Sequence, residues 1–252
     1  MKFFEKVNGY QIIEQINPSY NVFKAKKGNK FFAVYISIKR NDDTIFEHDI
    51  KKIIALKNTN IRTVYDVGKI NGSLYYVKQY FSEYNTIFDN IYCQGRTFNE
   101  SNILQIIIQI AKALDYASQF KIIHGLLHPN KIIISNEIPY VCLANRRNYV
   151  IGRPMFASPE RVMGKDFGLQ SDIFSLGSIS YFMATGEFPF KATPSVLLLQ
   201  EIMKKEPKAI TKYNPSISSK TCKVIKKMMA KSLKKRYQNY SHLLQDLQNI
   251  LC

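Results

Sequence analysis

Hydrophobic and polar positions alternate through the first eighty residues and then switch to a helical period. Tyr10-Gln-Ile-Ile-Glu-Gln15 and Asn21-Val-Phe-Lys-Ala-Lys26 predict a strand pair. Lys27-Gly28-Asn29 supplies the next turn, and Phe31-Phe-Ala-Val-Tyr-Ile-Ser-Ile38 is strongly β-prone. Ile45 to Leu56 has helical spacing. Val64 to Ile70, Asn71-Gly72 and Leu74 to Tyr80 predict a hairpin, because an Asn-Gly pair accepts the positive φ of a two-residue turn. Residues 102–119 carry the pattern of a long helix, with Glu100 and Ser101 where its N-terminal cap belongs. Short apolar runs follow to Leu143, and further helices are expected near 195–205, 217–230 and 239–250.

One stretch stands apart. Ser171-Asp-Ile-Phe-Ser-Leu-Gly-Ser-Ile-Ser-Tyr-Phe-Met-Ala-Thr-Gly186 is apolar on more than one helical face. A helix apolar most of the way round is a buried one. Ser171 or Asp172 is suited to cap its start, and Gly186 to end it in the left-handed conformation. Ser158-Pro159-Glu160 precedes it, Glu187-Phe188-Pro189-Phe190 follows, and Arg236 stands far downstream in Lys234-Lys235-Arg236-Tyr237.

That series resembles the C-terminal half of a protein kinase, most closely the bacterial Ser/Thr kinases. The resemblance implies an α+β, two-lobed fold: a small β-rich lobe with one main helix over residues 1–81, and a larger, mostly helical lobe over 82–252. It implies that Asp172 holds the catalytic loop by its backbone, and that Glu160 and Arg236 form a buried ion pair, a role that suits the planar fork of arginine.

The family's working positions are substituted together. The turn between the first two strands, where glycine would let backbone N–H groups reach phosphate, is Gln15-Ile-Asn-Pro-Ser-Tyr20. Pro18 has no N–H to offer, and Gln15, Asn17 and Tyr20 read as a lid or plug rather than a cradle. The strand-three lysine falls at Tyr35 in Ala33-Val34-Tyr35; a second register would keep Lys39, but the short preceding hairpin favours Tyr35. The paired helix Glu falls at Asp49. The catalytic loop reads His124-Gly-Leu-Leu-His-Pro-Asn-Lys131: Leu126 replaces the base, His128 the phosphate-steadying lysine and Lys131 the metal-binding Asn. Leucine has no lone pair, and an ammonium is a donor only. Asn145-Arg146-Arg147 replaces Asp-Phe-Gly, with Arg146 and Arg147 placed to favour an anion over Mg²⁺. Arg153 stands in for a threonine in Gly152-Arg153-Pro154. Lys78 falls where the family has an apolar residue at the back of the nucleotide pocket; it snorkels, fills that pocket, or pairs with Asp49. His124 and His128 lie four apart, but Gly125 and Pro129 break the helix that a metal-binding pair requires, so no metal site is expected.

Composition adds one question. Charged residues make up 22% and hydrophobic ones 46%, as in ordinary globular chains, but the formal net charge is +17. Twelve Lys or Arg against one acid, Glu206, lie between Lys204 and Arg236. That excess suits an acidic partner, whether an acidic protein, nucleic acid or an anionic surface. Cys93, Cys142, Cys222 and Cys252 are scattered and read as reduced, mostly packing thiols. No run of 18 apolar residues predicts a membrane span, and the early charges at the start do not suit a signal peptide, so a cytoplasmic protein is expected.

Kept frame and exchanged working groups together imply a pseudokinase: not an enzyme, without cofactor, acting as a binding, scaffolding or allosteric module on a protein partner such as an active kinase. Two alternatives stay open. One is an atypical Ser/Thr kinase, or a metal-independent nucleotide or anion binder using Arg146, His128 and Lys78. The other is a binder of acidic partners or nucleic acid through the basic large lobe.

Overall fold

The computed structural model describes residues 5–37, 43–143, 153–191, 193 and 195–251. The chain divides into two compact units, Met1–Glu83 with Leu143–Asn148, and Tyr84–Cys142 with Tyr149–Cys252. Lys39, Asn145, Arg146, Arg147 and Cys252 lie outside the described residues.

The first unit is an antiparallel sheet of β1 (Lys6–Val7), β2 (Tyr10–Asn17), β3 (Val22–Lys27), β4 (Lys30–Ile36), β5 (Val64–Ile70) and β6 (Ser73–Gln79), in the order β1-β2-β3-β4-β6-β5. The expected turns form for the expected reasons. Asn71 and Gly72 hold φ of 49° and 77°, the left-handed pair that matches the twist of two antiparallel strands. Tyr10, Phe23, Phe32, Val34, Tyr75 and Val77 build the core of this sheet. Helix α1 (Asp43–Ile54) buries Phe46, Ile50 and Ile53, spaced for one face, against β5 and β6.

The second unit is mostly helical. Helix α2 (Glu100–Gln119) packs on α4 (Leu169–Thr185), on α7 (Tyr240–Leu251) and on β9 (Ile138–Val141), which pairs with β8 (Ile132–Ser135); β8 in turn pairs with β7 (Asn85–Thr86). The short α3 (Pro159–Val162), α5 (Ser195–Lys204) and α6 (Ser219–Met228) complete it. All but the ends of α4 are buried, as its uniform apolar character predicts. Gly186 ends it at φ 71°, its N–H donating to the Phe182 carbonyl at 2.9 Å.

Several local expectations are corrected. Neither Ser171 nor Asp172 caps α4: the cap is Gly168, and both side chains are drawn into tertiary bonds instead. Asn99, not Glu100 or Ser101, caps α2, its side chain accepting from the Asn102 N–H at 2.8 Å. Glu100 turns away to accept from Ser218 and Thr221 at the start of α6. Tyr20, read as part of a lid or plug, is 75% exposed at the end of the short 3-10 turn Pro18–Tyr20. Of the described cysteines only Cys142 is buried, and Cys93 is exposed, so "packing thiol" fits one of them.

Helices α4 and α6 touch through a residue without a side chain. A Cβ on Gly177 would lie 2.7 Å from Met228 Cβ and 3.0 Å from Met229 Cγ. The first of these is a backbone-anchored atom that cannot swing aside. Gly177→Val is therefore expected to destabilise the chain by about 1–3 kcal/mol, the usual cost of overpacking, read as a lower urea midpoint; an unchanged midpoint contradicts this contact.

Candidate functional site

In the second unit the site is organised by one carboxylate. Asp172, on the buried helix α4 and 2% exposed, accepts the His124 N–H on Oδ2 at 2.7 Å and the Gly125 N–H on Oδ1 at 2.8 Å. Bonds from backbone amides to a carboxylate are about twice as strong as neutral ones. They fix the direction of the loop at 124–131. Gly125 takes φ of 71°, and a Cβ there would sit 2.5 Å from the Phe167 ring, so only glycine fits. The Leu126 N–H donates to His124 Nδ1 at 3.2 Å, which leaves the proton of that neutral ring on Nε2. Downstream, the Lys131 N–H donates to the His128 carbonyl at 2.8 Å, closing the turn at Pro129.

The anchor is itself anchored. Glu160, at the start of α3, meets Arg236 in a bidentate pair, with NH1 to Oε1 at 2.8 Å and NH2 to Oε2 at 3.3 Å. Arg236 NH1 also donates to the Gln170 carbonyl at 2.8 Å, and the Ser171 hydroxyl donates to Glu160. Arg236 is 2% exposed. Burial works to raise the Glu160 pKa, but the bonds from Arg236 and Ser171 and the Arg236 charge outweigh it and hold the carboxyl below its ordinary range. Removing one partner of such a buried pair costs about 3–5 kcal/mol. Arg161, not singled out from the sequence, lies over the Phe167 ring at 4.2 Å and interacts electrostatically with Asp172.

The loop thus held presents Leu126, His128 and Lys131. Burial, then the charges of Lys131 and Arg153, push His128 down to about 3, so it is a neutral imidazole at pH 7. His124 is lowered well below its usual value, first by burial and then by Lys131 and His128. Arg153 lies over the Phe88 ring, 3.9 Å from its centroid.

In the first unit, β4 and β6 bring a second group together. Tyr35 pairs with Tyr76 in register and Ala33 with Lys78. The two tyrosine rings stack at 4.9 Å, and Lys78 Nζ stands 4.8 Å from the Tyr35 centroid and 5.0 Å from that of Tyr76. Arg62, also missed by sequence reasoning, donates from NH1 to the Tyr35 hydroxyl at 3.0 Å and from Nε and NH2 to the Gln79 carbonyl at 3.0 and 2.8 Å. Asp49 sits half-buried on α1. Gln15 and Asn17 lie on β2, and Asn17 accepts the Tyr20 N–H at 3.2 Å.

Comparison with known proteins decides the family. The protein kinase domain model matches residues 19–247. The chain belongs to the protein kinase domain family. It is 30% identical over 267 residues to the "Probable serine/threonine-protein kinase CPE1738" of Clostridium perfringens, covering 96% of this chain and 38% of that one. It is 26% identical over 260 residues to the "Probable serine/threonine-protein kinase PknB" of Lactococcus lactis, covering 94% and 41%. The chain thus spans about two fifths of the length of the curated relatives it matches. The crystal structure of the Mycobacterium tuberculosis PknI kinase domain superposes with a TM-score of 0.80 at 16% identity, covering 99% of each chain, and shows the α+β kinase fold.

This family overturns one expectation. The chain was expected not to be an enzyme; a matched protein kinase domain and relatives named serine/threonine-protein kinases point to one. The magnesium ion of kinase chemistry finds a poor fit at the described loop, where the position expected to offer an amide oxygen holds the Lys131 ammonium. Among the described residues no group of three or more His, Cys, Asp or Glu side chains could hold a metal ion. No described helix is long and apolar enough to cross a membrane.

The depressed histidines carry a sign. His128 is neutral when folded down to about pH 3 but titrates near its ordinary 6.5 when unfolded, so the unfolded chain binds the extra proton first. Its contribution is fully present above pH 6.5 and lost as pH falls toward 3. Urea unfolding between pH 7.5 and 5 is expected to show falling stability, approaching about 1.4 kcal/mol per pH unit per such histidine, with a shallower slope in His128→Gln. Equal slopes in the two proteins contradict the buried neutral ring.

Proposed function

We propose that the chain is an atypical serine/threonine-protein kinase domain that works chiefly as a regulatory binding module, with slow phosphoryl transfer. The carrying observation is the grip of Asp172 on the His124 and Gly125 amides, which keeps the loop in place while the side chain at 126 is leucine. Phosphoryl transfer rests on positioning and electrostatics, and a side-chain base contributes about 10²–10⁴-fold. A held loop without the base retains the first and lacks the second. The binding role is supported by the surface of α6 and its neighbours: Lys204, Lys205, Lys208, Lys212, Lys220, Lys226, Lys227, Lys234 and Lys235 are exposed. Such a surface suits an acidic segment of a protein partner.

Transfer of the ATP γ-phosphate to Ser/Thr peptides by the full chain tests the chemistry. Leu126→Asp is expected to raise the rate by about 10²-fold or more. A rate unmoved by Leu126→Asp, with the fold intact by circular dichroism, contradicts the reading. Docking is checked on the same samples: poly-glutamate binding that weakens with salt and with Lys226→Glu/Lys227→Glu is expected, whereas a preference for duplex DNA would assign the surface to nucleic acid.

A further inference from the structure

Deleting a charge from one strand does not empty the place it served if a neighbouring strand can reach it. On β4 the residue at the family's lysine position is Tyr35. Its side chain shares a sheet face with Ala33, and Ala33 is the register partner of Lys78 on β6. Diagonal neighbours across an antiparallel pair are about 7–8 Å apart at Cα, within reach of a long side chain. The lysine uses that reach: its Nζ stands 4.8 Å from the centre of the ring that replaced the family's lysine.

We propose that Lys78 is the phosphate-anchoring cation of this chain, standing in from β6 for the lysine that Tyr35 displaces on β4. The ligand is the phosphate group of a nucleoside di- or triphosphate. Three features make the ammonium a prepared anchor. Tyr35 and Tyr76, stacked 4.9 Å apart, offer it their electron-rich faces and limit its rotamers. At 5% exposure Lys78 is largely stripped of water, which strengthens its attraction for an anion. Arg62 adds a second cation 5.8 Å from the Tyr35 centroid, and its bond to the Tyr35 hydroxyl fixes the ring on which the lysine rests. Tyr35 then supports the anchor where the family's lysine would have been the anchor itself.

This inference rests on the kinase reading of the site but is tested by binding, so a chain that holds ATP and transfers nothing contradicts that reading and leaves this one standing. Titration calorimetry of the full chain with ATP, ADP and adenosine, each in magnesium and in EDTA, reads it. The wild-type chain is expected to bind ATP and ADP more tightly than adenosine. Lys78→Met is expected to weaken ATP by about tenfold or more, the loss typical of one charge-assisted bond, and to leave adenosine unchanged. Lys78→Arg should keep most of the affinity, and the double variant Tyr35→Lys/Lys78→Met should recover it by returning the charge to β4. Thermal melts confirm folding; if Lys78→Met does not fold, the arginine and double variants decide, since both keep a cation. The proposal is overturned if the wild-type chain binds ATP no better than adenosine or not at all, if Lys78→Met binds ATP as the wild type does, or if the double variant folds without recovering affinity.

Discussion

A buried carboxylate with two backbone amides on it is the constraint from which the large unit is arranged. Asp172 is 2% exposed, and an ionised group taken that far from water is costly unless its oxygens are filled. His124 and Gly125 fill them with N–H groups from a segment 48 and 47 residues away. The geometry then propagates in both directions. On the loop side it demands φ of 71° at Gly125, which Phe167 reinforces by leaving no room for a Cβ. On the helix side α4 is buried along all but its ends, and the Glu160–Arg236 pair, with Ser171 bonded to the same carboxylate, secures the start of that helix.

The loop carries a leucine at 126, a neutral imidazole at 128 and an ammonium at 131, so it has no described carboxylate to take a proton and one cation to attract an anion. In the small unit Lys78 and Arg62 flank the Tyr35 ring from neighbouring segments.

Much of this was legible in the sequence because the signals are local. The Asn71-Gly72 turn needs positive φ, the all-round apolar run from Ile173 to Ala184 needs burial, and Asp172, Glu160 and Arg236 stand in a series that resembles a kinase's. What escaped was tertiary. Ser171 has the chemistry of a helix cap, and nothing in its neighbours says that Glu160 will claim it, whereas the bond of Asp172 to the distant loop is what the kinase resemblance implies. Glu100 looked like part of a cap for the same reason and serves Ser218 and Thr221 instead. Arg62 sits in an unremarkable link between α1 and β5; only the sheet register shows its fork reaching the Gln79 carbonyl and the Tyr35 hydroxyl. The sequence also overreached in turning missing side chains into a missing enzyme, which family membership corrects.

Amide hydrogen exchange at His124 and Gly125 tests the central constraint most directly, because each amide reports one oxygen of Asp172. In the wild-type chain both amides should exchange as slowly as those of the α4 interior, and in Asp172→Ala both should lose protection while the α4 interior keeps most of its own. Rapid exchange at both positions in the wild-type chain, or undiminished protection in Asp172→Ala, would show that the loop is held by something else.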